Sequence, residues 1–384
     1  MRSNYDIAAY IWPAYSGGDT RSRMFWPDGI GEWQTVKNGP KSDREAYRLR
    51  KPVWGYVDEA DPLVMEMEIE AAARHGVNVF IYDWYWYDNR PFLENCLNDG
   101  YLKASNNDKV KFYLMWANHD ANYTWDTRNA GFVNDVIWGG QVNFAQFQTV
   151  AIRVIERYFA HPSYYTIDGK PVFSIYDIKN LVDGLGGIPQ TQTAFAWFRE
   201  ECVRRGLPGL HLQLVRQHPN IPNLSGIDGK SIFVDDLAEL LGFDSTTHYQ
   251  FAHMCPINRD HGEIVRDVQS VYQSSGKGDI PYFPHISVGW DNNPRFIREN
   301  DNITLNNPPE AFKQALEAAK KYADSHPEQP PLITINSWNE WTESSYLLPD
   351  LLYGYGYLEA IRDVVGAVES DHGNEDIQLF KQAL

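Results

Sequence analysis

Cysteine is scarce in this sequence: Cys96, Cys202 and Cys255 are the only three in 384 residues, and none form a Cys-x-x-Cys pair. An odd number so spaced argues against a disulfide framework and against a thiolate zinc site. Long apolar runs are also missing. Asp6–Trp12 is far too short to span a membrane, and nothing resembles a signal peptide. The chain is therefore expected in the cytoplasm, or as the mature part of an exported protein. No Lys/Arg stripe offsets a net charge of −17, from 34 basic and 51 acidic residues, so a phosphate backbone is repelled and nucleic acid is an unfavourable partner. No low-complexity stretch or charge block marks an internal linker.

Aromatic residues are abundant instead. They make up 14% of the chain, with 13 Trp and 23 Tyr, more than a core of this size needs. Each of these two side chains joins a flat apolar face to a polar handle, which suits a surface that meets sugars. An aromatic-rich core is the competing explanation for any single ring.

Apolar runs of β type, each followed by helical periodicity, recur eight times. The predicted strands are Asp6–Ile11, Asn78–Tyr82, Lys111–Trp116, Pro171–Tyr176, His211–Val215, Ser245–Tyr249, Tyr282–Val288 and Leu332–Ser337. Helices are predicted over Pro62–His75, Ala145–Phe159, Thr193–Arg205, Gly262–Gln273, Pro309–Asp324 and Tyr357–Glu369. Strand and helix alternating in this way predict an α/β fold, a (β/α)8 TIM barrel with residues 1–384 as one catalytic domain. An open doubly wound sheet is the competitor. It is disfavoured because the turn after the first strand reads Trp12-Pro13-Ala14-Tyr15, with no glycine-rich phosphate loop. Pro13–Asp61 and Asn118–Asn143 are too long for simple connections. Both follow strands, so they are expected to wall a cleft at the carboxyl face, where barrel active sites lie.

The residues at the carboxyl ends of the eight strands are rings, amides and carboxylates. They include Tyr10 and Trp12, then Asp83, Trp84 and Tyr85, then Trp116, Asn118 and His119. Tyr176 follows the fourth strand, Tyr249 the sixth and Trp290 the seventh, and the eighth leads into Trp338-Asn339-Glu340-Trp341-Thr342-Glu343. Such a rim fits a glycan, which needs stacking faces and short polar arms. Glu340 and Glu343 are the candidate catalytic pair. Glycosidic cleavage uses one carboxyl group to protonate the leaving oxygen and a second as base or nucleophile. A spacing of three sets both on one side of a helical turn. Asp83 is a third carboxylate, suited to hold a sugar hydroxyl or orient a catalytic group. The dense Asp83–Asp88 run is expected to stay largely unburied, with at least one ring forming a sugar platform. His119, His248 and His285 lie at three strand ends without metal-site spacing, and read as separate hydrogen-bonding groups. No metal is assigned.

These residues together resemble the glycoside hydrolase family 99-like group. That group holds endo-α-mannosidases, endo-α-mannanases and the WbsX-type proteins of polysaccharide loci, often labelled glycosyltransferases. The likeness runs nearly end to end. It takes in Ala9-Tyr10-Ile11-Trp12-Pro13, Gly31-Glu32-Trp33, Pro52-Val53-Trp54-Gly55-Tyr56, Gly76–Tyr87, Trp116-Ala117-Asn118, Lys170–Tyr176, Asn336–Asp350 and Gly356-Tyr357-Leu358-Glu359. Three positions depart from the common pattern: Ser344 stands where a glycine is usual, Leu348 where a glutamate is frequent, and His119 where WbsX-type chains often carry glutamate.

The resemblance implies that Glu340 deprotonates a sugar 2-hydroxyl, which attacks its own anomeric carbon, while Glu343 protonates the departing oxygen and later activates water. It implies retention of configuration, no cofactor, and a sugar whose 2-hydroxyl lies trans to the leaving group, as in α-mannosides. Glycosyl transfer in polysaccharide assembly and a non-catalytic glycan-binding barrel are the alternatives.

Overall fold

The computed structural model describes residues 4–39, 49–129, 135–225, 230–276 and 278–366. Eight parallel strands form the barrel: β1 (Asp6–Ile11), β2 (Val79–Tyr87), β3 (Lys111–Trp116), β4 (Lys170–Ile175), β5 (His211–Val215), β6 (Ser245–Thr247), β7 (His285–Ser287) and β8 (Leu332–Asn336). The hydrogen-bonded order is β6-β5-β4-β3-β2-β1-β8-β7. Ala8 of β1 pairs with Val79 on one side and Thr334 on the other, which joins first strand to last. The seam between β6 and β7 is closed by the segment before β7. There the Thr246 amide donates to the Pro281 carbonyl at 2.9 Å, and the Phe283 amide donates to the Thr246 carbonyl at 2.8 Å.

The predicted barrel is thus the observed one, with the eight strands in the expected sequence order. Its interior is packed with side chains that satisfy one another. The Tyr113 hydroxyl donates to Gln213 at 3.1 Å, and Thr247 and Thr334 share a hydrogen bond of 2.9 Å. This is a filled core and not a pore.

The helices are α1 (Trp33–Asn38), α2 (Pro62–Arg74), α3 (Phe144–Val154), α4 (Ile178–Leu185), α5 (Ile188–Arg204), α6 (Val234–Leu241), α7 (His261–Ser275), α8 (Pro309–Asp324) and α9 (Gly356–Val365). Their starts follow local chemistry. The Asp61 side chain accepts from the Leu63 amide at the head of α2, and Pro62 occupies the first turn. Asn143 and Gln146 cap α3 reciprocally. The Asp177 side chain accepts from the Asn180 amide, and α4 stops at Gly186, whose φ of 96° is open to glycine at no steric cost. The predicted Ala145–Phe159 helix is α3 continued by a wider turn over Ile155–Phe159. The end of the predicted Tyr357–Glu369 helix lies outside the described residues. α4 and α6 were not predicted, because each is only eight residues long.

Strand two needs a larger correction. It does not end at Tyr82 but runs on to Tyr87, folds over a turn at Asp88-Asn89 and pairs back through Arg90–Phe92. Both turn residues have positive φ, 52° and 56°, as a two-residue hairpin of this hand requires. The extension is covered on both faces, so Asp83, Trp84, Tyr85, Trp86 and Tyr87 are all buried. The expectation that this run stays largely unburied therefore fails. A continuous apolar-aromatic strand rising above the rim is paid for by burial between two long loops and the α3 side of the sheet.

Those two loops meet each other. The indole of Trp26 stacks with that of Trp125 at 6.0 Å, and the Thr35 hydroxyl donates to Asp126 at 2.8 Å. Together they wall the carboxyl face above β1 and β2. Among the described residues no helix is long and apolar enough to cross a membrane.

Candidate active site

The segment after β8 is fixed residue by residue. The Trp338 indole leaves the rim, packs on Phe80 at 5.0 Å and donates to Glu68 of α2 at 2.8 Å. Asn339 clamps β1: its carboxamide oxygen accepts from the Trp12 amide at 2.8 Å, and its nitrogen donates to the Trp12 carbonyl at 2.9 Å and to Glu59 at 2.8 Å. The Ser337 hydroxyl accepts from the Glu340 amide at 2.8 Å. Asn339–Glu340 then pairs with Ser345–Tyr346, enclosing one tight helical turn, Trp341–Glu343. Ser344 closes that turn at φ 51°, in the left-handed region that glycine enters at least cost. This accounts for the glycine usual at that position in the resembling group.

Glu340 and Glu343 are thereby turned to the same guanidinium. Arg295 sits in the loop after β7, with its carbonyl held by the Thr127 hydroxyl at 2.8 Å. Its Nη1 donates to Glu343 at 2.6 Å, its Nη2 to Glu340 at 3.1 Å and its Nε to Glu32 at 3.0 Å. Three carboxylates share one cation, and all four side chains are buried, with Arg295 8%, Glu343 6% and Glu340 3% exposed.

Burial raises Glu340 well above the ordinary carboxylate range, and Glu343 adds to the rise while Arg295 opposes it. Burial also raises Glu343, against the pull of Arg295. For Arg295, burial works against the charge, but Glu32, Glu343 and Glu340 outweigh it and hold the guanidinium charged.

Asp83 extends this group from β2. The Tyr249 hydroxyl lies 2.9 Å from Asp83 Oδ2 and 3.2 Å from Glu340 Oε1. A phenol carries one hydrogen, so both contacts are hydrogen bonds only when one of the two carboxyl groups is protonated and donates to the phenol oxygen. Burial raises Asp83 well above its ordinary value, which suits that state. Asp83 Oδ1 and Glu343 Oε2 have no hydrogen-bond partner among the described residues.

Several predicted residues join the same group. The Tyr10 ring lies 4.7 Å from Tyr249, and its hydroxyl donates to the His248 carbonyl at 3.2 Å. Tyr176 meets Tyr249 at 5.4 Å and His119 at 5.8 Å, and Tyr85 meets His119 at 5.7 Å. Trp12 packs edge-on to Tyr85 at 5.5 Å and donates its indole hydrogen to Glu32. Trp290 is half-buried with an unpartnered indole nitrogen, one residue before Asp291, whose amide donates to the Glu343 carbonyl at 2.6 Å.

Other predicted residues are placed elsewhere. Trp84 and Trp116 point to the helix side of the sheet: Trp84 donates to Glu94 at 2.8 Å, and Trp116 packs on Phe147 of α3 at 6.3 Å. Trp338 lies on that side too. Asn118 and Asn339 have their amides committed within the protein, Asn118 bridging to the backbone of Asp177 at 2.7 and 2.8 Å. The three histidines each have a separate partner: His119 the Asp120 carbonyl at 2.8 Å, His248 the Tyr282 hydroxyl at 2.8 Å, and His285 Thr334 at 2.9 Å. Among the described residues no group of three or more His, Cys, Asp or Glu is placed to hold a metal ion.

Arg295 and Glu32 were missed as site residues. Glu32 carries a signal, since Gly31-Glu32-Trp33 is part of the resemblance, but nothing in Asn293-Pro294-Arg295 marks its cation.

Comparison with solved structures places the molecule in a class. The family 99 endo-α-mannosidase of Bacteroides thetaiotaomicron superposes with a TM-score of 0.60 at 13% identity, covering 100% of both chains. A glycoside hydrolase-like protein superposes with a TM-score of 0.61 at 14% identity, covering 96% of this chain and 95% of that one. The fold is therefore a (β/α)8 barrel like that of these two proteins. Residues 7–361 match the family described as Glycosyltransferase WbsX, and the chain belongs to that family. Two relatives, both called uncharacterized protein WxcX, come from Xanthomonas campestris pv. campestris, strains ATCC 33913 and B100. Each is 25% identical over 346 residues, which is 89% of this chain and 47% of the relative. The chain spans about half the length of these relatives.

Proposed function

We propose that this protein processes glycans by cleaving glycosidic bonds, with Glu340 and Glu343 as its catalytic pair. The observation that carries the reading is the shared Arg295: it holds both carboxyl groups in one buried place while Glu343 Oε2 and Asp83 Oδ1 stay without partners among the described residues. Buried polar atoms left unpaired cost free energy, and sugar hydroxyls would satisfy them.

In the proposed reaction, Glu340 as carboxylate takes the proton of a sugar 2-hydroxyl. That oxygen attacks the anomeric carbon of the same sugar as the glycosidic bond breaks, and Glu343 gives its proton to the leaving oxygen. Water then loses a proton to Glu343 and opens the 1,2-anhydro ring, and the 2-oxygen takes back its proton from Glu340. Configuration is retained. Asp83, through Tyr249, supports the charge state of Glu340. Of the rings at the site, Tyr176 and Trp290 are half-buried and would offer stacking faces, whereas Trp12 and Tyr85 are packed beneath them. A substrate of α-mannoside type meets the geometric demand for a trans 2-hydroxyl, and one solved structure similar in fold is an endo-α-mannosidase.

The second reading is glycosyl transfer, favoured by the family's description. A nucleotide-sugar donor would need a phosphate cradle, and the turn after β1 is Trp12-Pro13-Ala14-Tyr15. Transfer from one glycan to another needs none.

The test is product release from a panel of α-mannans and other bacterial and host glycans, comparing wild type with Glu340→Gln and Glu343→Gln. Cleavage by wild type alone is the expected result. Equal cleavage by both variants would overturn the site assignment, and longer products with no net gain of reducing ends would favour transfer.

A further inference from the structure

We propose that Glu32, acting through Arg295, is the positioning residue that decides how the proton of the active site is shared between Glu340 and Glu343. The inference rests on the catalytic reading above, and deepens it.

The hydrogen-bond pattern sets the argument. Each of the three guanidinium nitrogens of Arg295 serves a different carboxylate, so neither catalytic group receives the full two-pronged contact that an isolated Arg–Glu pair forms. Glu32 Oε1 accepts from Arg295 Nε, and Glu32 Oε2 accepts from the Trp12 indole. Both partners are donors only and accept nothing. Protonating Glu32 would weaken one of these contacts, because a carboxylic hydroxyl oxygen is a poorer acceptor than a carboxylate oxygen. These contacts favour Glu32 as the anion of the group, while burial still raises it from its ordinary value against the pull of Arg295, Trp12 and Thr342.

The catalytic pair is held differently. Glu343 keeps Oε2 without a partner, and Glu340 Oε1 faces a phenol that donates or accepts. Each of these two has an oxygen that can carry a proton without facing a donor-only group, whereas both Glu32 oxygens accept from Arg295 and Trp12, with the Thr342 hydroxyl as a further neighbour. One cation among three buried carboxylates cannot neutralise them all, so the proton resides on the pair.

The charged and titratable groups facing Glu343 are Arg295, Glu32 and Glu340 from the loops, Asp83 from β2, and the phenols Tyr176 and Tyr249. Tyr15 faces Glu32 and Glu340 from the first long loop. Of these, Glu32 is the anion fixed on Arg295. Its charge takes up part of the guanidinium's field and so leaves Glu343 more easily protonated. That is the state a general acid needs.

The test compares wild type, Glu32→Gln and Glu32→Asp. Removing the charge frees Arg295 for the catalytic pair, so the Glu343 carboxyl releases its proton at lower pH. In the protein without substrate, carboxyl titration by carbon NMR with glutamate labelled at its carboxyl carbon, assigned through Glu343→Gln, is expected to move Glu343 down by about one pH unit in Glu32→Gln. Glu32→Asp keeps the charge and is expected to titrate near wild type. In an active protein, the alkaline limb of kcat/KM moves down with the same variant and stays in the other.

An unmoved Glu343 titration in Glu32→Gln overturns the inference, and so does an equal movement in Glu32→Asp. If Glu343 moves as expected but wild type cleaves no glycan, the inference stands and the hydrolase reading falls. If wild type cleaves and the limb is unmoved, the reverse holds.

Discussion

Arg295 donates to one oxygen of Glu343 at 2.6 Å, and the other oxygen has no partner among the described residues inside a buried site. The half-satisfied carboxyl group is oriented by a cation, while its second oxygen is buried with its hydrogen-bonding capacity unused among the described residues. It is also a liability, because the same cation balances Glu340 and Glu32.

Replacing Arg295 by glutamine should therefore cost more stability than an ordinary surface substitution. It leaves three buried carboxyl groups without a counter-charge, which typically costs about 3–5 kcal/mol. Without Arg295 the folded-state pKa of each rises further above its unfolded value. Such a group contributes stability at low pH that is lost as pH rises. The deficit against wild type, measured by urea unfolding, is expected to be small near pH 5 and large near pH 8. An equal deficit at both values would show that packing, not charge, is what Arg295 supplies.

Tyr249 offers a finer probe. Its hydroxyl spans Asp83 and Glu340, while its ring packs on Tyr10 and Tyr176. Tyr249→Phe keeps the ring and removes the bridge. On the proposed mechanism kcat/KM falls by roughly tenfold to hundredfold, with the thermal midpoint little changed. Full activity in the phenylalanine variant would separate Asp83 from the chemistry.

Much of this was legible beforehand, and the part that was not has physical causes. Seven of the eight strands overlap their predicted ranges closely, because parallel barrel strands are near-continuous apolar runs. β2 was cut short because its continuation, Asp83–Tyr87, mixes a carboxylate with rings and looks like a rim. The position of Glu340 and Glu343 after β8 follows from strand counting alone. Which face each aromatic takes does not, since one register step turns Trp84 away from the site and Tyr85 towards it. Arg295 could not be read at all: it reaches the carboxylates from a loop position 45 residues before Glu340 in the chain.

The placement of Trp116 gives a direct check on that face assignment. Its ring lies among Trp84, Phe147 and Phe173, in the layer between sheet and helices. Trp116→Ala is expected to cost about 3–5 kcal/mol of stability. At a temperature where the variant is folded, KM for a cleaved glycan should stay within about twofold of wild type, because no binding contact is removed. Tyr176→Ala is expected to do the opposite, raising KM with little loss of stability, since that half-buried ring lies beside Tyr249 and His119. A large KM effect from Trp116→Ala would place the glycan on the wrong side of the sheet for this structure.

Behind the site, Glu59 and Glu68 form a second buried acidic pair, flanking Asn339 and Trp338. Burial raises Glu68 to about 7 and Glu59 well above its ordinary value, with Glu68 adding to the latter. A folded-state value above the unfolded one means that the group's contribution is fully present below the unfolded pKa, near 4.5, and is lost as pH rises through about 7. For Glu68 this amounts to at most about 3 kcal/mol between those limits. Glu68→Gln keeps an acceptor for the Trp338 indole and removes the titration. Wild type is therefore expected to melt at lower temperature at pH 8 than at pH 5.5, and the glutamine variant to show a smaller difference by calorimetry. If both lose the same amount across that range, Glu68 is already paired in a way that burial and Trp338 do not describe, and the pH dependence belongs to the Arg295 group alone.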